Sequence, residues 1–119
     1  MTIFRFLTTA RPARLAAALL AIALLAPTGT SLPAVAAEMI IKIANFTFAP
    51  QSLSVHAGTT VTWVNGDDIP HVIAEKDGQF RSKALDTGDS FSQVFTKPGK
   101  VEYYCAIHPH MTGEIVVTP

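Results

Sequence analysis

From residue 38 onward, short runs of β-branched and aromatic residues alternate with turn-forming clusters, and no stretch sustains an apolar period of 3.6. The runs occupy residues 39–46, 52–55, 59–65, 71–74, 90–95, 101–105 and 114–118, and Pro50, Gly58, Gly66, Gly78, Gly88, Pro98-Gly99 and Gly113 punctuate them. Within 59–65, Val61 and Trp63 fall on one face and Thr60, Thr62 and Val64 on the other, as in a half-buried strand. Within 101–105, Val101, Tyr103 and Cys105 point one way and Glu102 and Tyr104 the other. Tyr103 reads as core and Tyr104 as solvent-facing. Lys97-Pro98-Gly99-Lys100 suits a type II turn, which predicts a hairpin between 90–95 and 101–105. Residues 75–85 fit neither period and read as a loop with room for a helical turn. Strands at this spacing predict an all-β sandwich of about seven to eight strands.

The first 37 residues follow a different rule. Arg5, Arg11 and Arg14 precede an unbroken apolar run of 12 residues at 15–26, and small residues follow up to Ala34, Ala36 and Ala37. That order is the pattern of a secretory signal, with cleavage expected after Ala36 or Ala37. The apolar run is well short of the ~20 residues a membrane-spanning helix needs. The expected organisation is therefore a signal peptide at 1–37 and one domain at 38–119, exported to the periplasm with no stable membrane association after cleavage.

Composition sharpens this division. The whole chain has 119 residues with nine basic and nine acidic side chains, but from Glu38 onward six basic residues face nine acidic ones, a net charge of −3. A mildly acidic module without Lys/Arg runs has no footprint for nucleic acid. A domain of 82 residues buries one modest core, and exported domains of that size often add disulfides. The single cysteine, Cys105, rules that out within the chain.

The chemistry lies in Cys105-Ala106-Ile107-His108-Pro109-His110-Met111, between two predicted strands. Thiolate, imidazole and thioether fall within seven residues. Soft sulfur with imidazole selects copper, and a His2Cys set with a weak axial Met is the blue-copper arrangement. One more imidazole is required. His71 follows Pro70 where a loop enters a strand, whereas His56 lies beside the turn at Gly58, at the opposite end of its strand, so His71 is the better candidate. Taken singly, each residue has an ordinary structural role: a buried Cys or Met fills a core. Their joint spacing is what points to a metal. His56 and His110 are too few to build the second metal centre of a copper oxidase or nitrite reductase, so an enzyme is not expected.

The segments IANFTFAPQSLSVHAGTTVTWVN, DDIPH and FTKPGKVEYYCAIHPHMTGEIVV resemble the cupredoxins, the type 1 blue copper proteins, and the Cys-x2-His-x2-Met spacing is similar to the amicyanin-like members. The resemblance implies a Greek-key β-sandwich and one copper ion cycling between Cu(II) and Cu(I), held by His71, Cys105, His108 and Met111. It further implies one-electron transfer through His108, whose outer edge would emerge in an apolar patch with Ile107 and Pro109. Expected partners are redox proteins such as a c-type cytochrome or a periplasmic dehydrogenase, met by a monomer. A copper carrier or store without redox turnover is the alternative. Two positions depart from the family pattern. Val72 stands where many members carry an Asn that ties the ligand loops together, and His110 stands where amicyanin-like loops carry an aromatic residue.

Overall fold

A computed structural model describes residues 29–30 and 36–119, and the expected signal segment lies almost wholly outside them. Residues 36–119 belong to one compact unit. Its elements are β1 (Glu38–Ala44), β2 (Thr47–Ala49), β3 (Ser52–His56), β4 (Thr59–Asn65), β5 (Ile73–Glu75), β6 (Ser90–Phe95), β7 (Gly99–Cys105) and β8 (His108–Thr118). They form two four-stranded sheets, ordered β2-β1-β4-β6 and β3-β8-β7-β5. The expected all-β sandwich is present. Two of its pairs, β1 with β4 and β3 with β8, are parallel and join strands far apart in sequence.

Alternation decides what lies between the sheets. Ile41 and Ile43 from β1, Val61 and Trp63 from β4, Leu53 and Val55 from β3, Tyr103 and Cys105 from β7, and Ile115 and Val117 from β8 meet in one buried cluster. Trp63 is its centre, with ring centroids 5.2 Å from Tyr103, 5.9 Å from Phe91 and 6.3 Å from Phe95. Each such aromatic pair contributes about 0.5–1.5 kcal/mol beyond the area it buries. This framework fixes the ends of β4 and β7, which carry the site.

Four sequence expectations need correction. β6 and β7 do not form a hairpin: β6 pairs with β4 over six positions, while β7 pairs with β5 and β8 in the other sheet. Gly99 has the positive φ (141°) expected of a turn glycine, but the turn carries the chain across the sandwich. Alternation specifies which face a strand buries and leaves its lateral partner open. The run 39–46 is interrupted at Asn45-Phe46, a two-residue turn with φ of 52° and 57° that folds β2 back onto β1. Gly113 is no turn residue either. It lies within β8 opposite Tyr103, and a Cβ there would overlap the phenol ring. Finally, residues 76–85 contain no helical turn and are held by bridges from Ala74 to Arg81 and from His71 to Leu85.

Candidate metal centre

The loop after β4 is built around Asn65, the buried last residue of that strand. Its Nδ2 donates to the carbonyls of Ile69 and Leu85, both at 2.8 Å, and its Oδ1 accepts the Asp67 N–H at 2.9 Å. Pro70 fixes its own φ and restricts Ile69 before it. His71 is then pinned by reciprocal backbone bonds with Leu85, 3.1 and 2.8 Å long. Its fully buried ring has Nε2 2.9 Å from Asp67 Oδ2 and Nδ1 3.6 Å from Cys105 Sγ. With the Nε2 proton donated to the carboxylate, the Nδ1 lone pair faces the sulfur.

Asp67 has further partners. Its two oxygens accept the backbone N–H groups of Asn45 at 2.6 Å and Phe46 at 3.1 Å. Burial pushes its carboxyl pKa up, but the Phe46 amide, the His71 ring and the Asn45 amide together outweigh that and hold it below the usual carboxylate value. One side chain thus ties the β1–β2 turn to His71.

The other half of the site hangs on β7 and β8. Tyr104 pairs with Thr112, and the next pair is Cys105 with His108, so Pro109, His110 and Met111 form a bulge in β8. Between Cys105 and His108 only Ala106 and Ile107 form the turn. Bulges re-aim side chains, and Pro109, lacking an N–H, suits an unpaired position. This one sends Met111 inward, where it is 4% exposed, and leaves His110 outside. His108 is half-buried, with Nδ1 3.7 Å from Cys105 Sγ. Met111 borders a cleft of about 100 Å³ with Phe46, Phe48, Gln51 and His110.

Cys105 is where the halves meet. Its sulfur accepts the Val72 N–H at 3.5 Å, and the Ala106 N–H donates to the Val72 carbonyl at 2.9 Å. The two segments are therefore tied through backbone, which does not require an Asn at position 72. Donor atoms of His71, Cys105 and His108 all lie within 4.8 Å of one another. Two metal–ligand bonds of about 2.0–2.3 Å meeting near the trigonal or tetrahedral angle put their donors about 3.5–3.7 Å apart. The observed sulfur–nitrogen separations of 3.6 and 3.7 Å fit one ion shared by both imidazoles. Thiolate with two imidazoles also fits copper chemically.

Comparison with known proteins agrees. Residues 35–118 match the profile of the copper-binding proteins of the plastocyanin/azurin family. The chain belongs to that family. An amicyanin from Paracoccus versutus is 32% identical over 84 residues, which cover 66% of this chain and 64% of that relative, a little under two thirds of its length. Among solved structures, an oxidised amicyanin mutant aligns with a TM-score of 0.65 at 28% identity, covering 67% of this chain and 81% of the other. A purple cupredoxin from Nitrosopumilus maritimus aligns at 0.61 and 37% identity, covering 69% and 99%. The cofactor is accordingly copper, and the cluster suits a single type 1 ion.

Set against this plastocyanin/azurin framework, the candidates separate cleanly. His71, Cys105 and His108 converge and Met111 is buried, whereas His56 lies at the far end of β3, with Nδ1 3.0 Å from Thr118 Oγ1. His110 stays outside the cluster. Two contributors escaped sequence reasoning. Asp67 reads as an ordinary loop acid. Phe46 reads as the end of a strand, although its ring is edge-on to His71 and His108 with centroids 5.8 and 5.1 Å away. The available signal was Asn45 within an apolar run, since Asn tolerates the left-handed conformation of a tight turn.

Proposed function

We propose that the protein is a type 1 copper electron carrier whose ligands are His71, Cys105, His108 and Met111. The supporting observation is the preassembled donor set: one thiolate sulfur 3.6 and 3.7 Å from two imidazole nitrogens, one ring sealed and one half-exposed. Bound there, copper supplies a one-electron Cu(II)/Cu(I) couple. The chain's part is to keep the donors where both oxidation states accept them. Asp67 orients His71, the Val72 N–H stabilises charge on the sulfur, and the β8 bulge presents Met111 from within. A frame held by hydrogen bonds moves little when charge changes, so the reorganisation barrier stays low.

Electrons are expected to pass through the outer edge of His108, which sits beside exposed Phe46, Ile107 and Pro109. A small apolar contact of this kind suits brief encounters. Asp67, Asp68, Asp86 and Asp89 lie on the flanking loops, linked by the bond from Thr87 Oγ1 to the Asp67 carbonyl (2.7 Å). That charge favours a redox partner with a basic rim, such as a c-type cytochrome or a periplasmic dehydrogenase. Residues 1–37 would direct export to the periplasm, and 38–119 would act there as a monomer.

The visible spectrum of the copper-loaded protein tests the assignment. An intense thiolate charge-transfer band toward the red, bleached on reduction, is expected, and its absence would refute the proposal. Met111→Gln should keep the band and change the reduction potential; an unchanged potential would remove Met111 from the ligand set. A copper carrier with the same ligands would instead lose the ion quickly to a chelator and exchange electrons slowly.

A further inference from the structure

The turn between β1 and β2 has a residue in the wrong place for its backbone. Ala44 pairs with Thr47, so Asn45 and Phe46 are the two central residues, both at positive φ (52° and 57°). Two-residue hairpin turns of this kind ordinarily carry Asn-Gly, because only glycine takes the second position without a steric penalty. Here a phenylalanine occupies it, 52% exposed, so core packing does not explain its presence.

Its surroundings offer a reason. The ring stands edge-on to both imidazoles, with centroids 5.1 Å from His108 and 5.8 Å from His71. It also lines the small cleft leading to Met111. The strained turn is held from the other side, where the Asp67 carboxylate accepts the N–H groups of both central residues while binding His71 Nε2. Strain retained at a site that surrounding groups over-determine is where a functional constraint is expected.

We infer that Phe46 is a positioning residue, held in a strained turn to cover the two imidazoles and exclude water from the outer face of the centre. This rests on the copper reading above and deepens it. An apolar cover does two things. It slows the approach of water and chelators to His108, and it disfavours the more highly charged oxidised state, which raises the potential. The left-handed backbone is what brings the ring over both histidines. A glycine would satisfy the turn and leave the site open.

The test substitutes Phe46→Gly, with Phe46→Leu as a partner that keeps apolar bulk. In the metal-free protein, Phe46→Gly should melt at the same temperature or higher, by up to about 4–8 °C for each kcal/mol of strain relieved. His108 in the same protein should be modified severalfold faster by diethyl pyrocarbonate, followed by mass spectrometry. With copper bound, Phe46→Gly should release the ion to bathocuproine disulfonate about tenfold faster and show a lower potential, and Phe46→Leu should restore most of the slow release. A lower melting temperature for Phe46→Gly would overturn the strain argument. Unchanged His108 reactivity, or unchanged copper release and potential, would overturn the cover. The arms without copper stand whatever the wild-type spectrum shows, so a missing charge-transfer band sinks the electron-carrier reading separately from this one.

Discussion

The two imidazoles that face the Cys105 sulfur are held in opposite ways. His71 is sealed: its outer nitrogen meets Asp67, its backbone is bonded twice to Leu85, and Asn65 braces the loop behind it. His108 comes from a two-residue turn and a bulge and is half-buried, and among the described residues the only hydrogen-bond-range neighbour of its ring is the sulfur. The sealed side fixes geometry. The open side lets the outside reach it. One donor set thus combines a rigid reference with an exposed edge, which a relay needs and a purely structural metal site does not.

The largest expected effect comes from the atom both sides share. Cys105→Ser should abolish the charge-transfer band and weaken copper binding while circular dichroism shows the metal-free sandwich intact, because the core rests on Trp63 and its neighbours. Next comes the asymmetry itself. His108→Gly opens a hole to solvent, so added imidazole should restore the band. His71→Gly leaves a closed hole, and the same titration should restore nothing. Equal rescue of both would show that the two imidazoles are equally open to solvent.

A smaller change should act on the His108 arm alone. Gly113→Ala places a methyl against the Tyr103 ring where β7 and β8 pair. Overpacking of this kind costs about 1–3 kcal/mol, measurable by urea unfolding, and should disturb His108 before His71. The mildest probe is alkali. Burial pushes the Tyr103 phenol up to about 12. The Trp63 indole N–H and the Tyr103 hydroxyl are both buried without a hydrogen-bond partner. The folded state therefore holds a proton that the unfolded chain releases near pH 10. Stability should be unaffected by this group below pH 10 and fall by about 1.4 kcal/mol per pH unit from there to about pH 12. Tyr103→Phe should flatten that slope.

Much of this was legible from residue order, and the misses share a cause. β4 and β6 were read with their observed bounds because alternation and flanking turn residues agreed. The meeting of Cys105 with His108, and the preference for His71 over His56, were legible because ligand chemistry leaves few substitutes. The lateral partner of β6 was not, since face alternation is the same in a hairpin and in a crossing between sheets. Asn45-Phe46 hid because phenylalanine is a strand former placed where the backbone wants glycine. Gly113 looked like a turn although its missing side chain makes room for Tyr103. Asp67 could not be singled out because its three partners come from two segments that only the folded sandwich brings together.

The parallel pairing of β3 with β8 has a kinetic consequence. It joins Ser52 to Glu114, 62 positions apart, so a long loop must close before any of its contacts form. Folds dominated by such distant pairings assemble in milliseconds to seconds. The strand that completes this sheet also carries His108 and Met111. Cys105 and His108 can meet through their two-residue turn alone, but β8 is braced against β3 only once that long loop has closed.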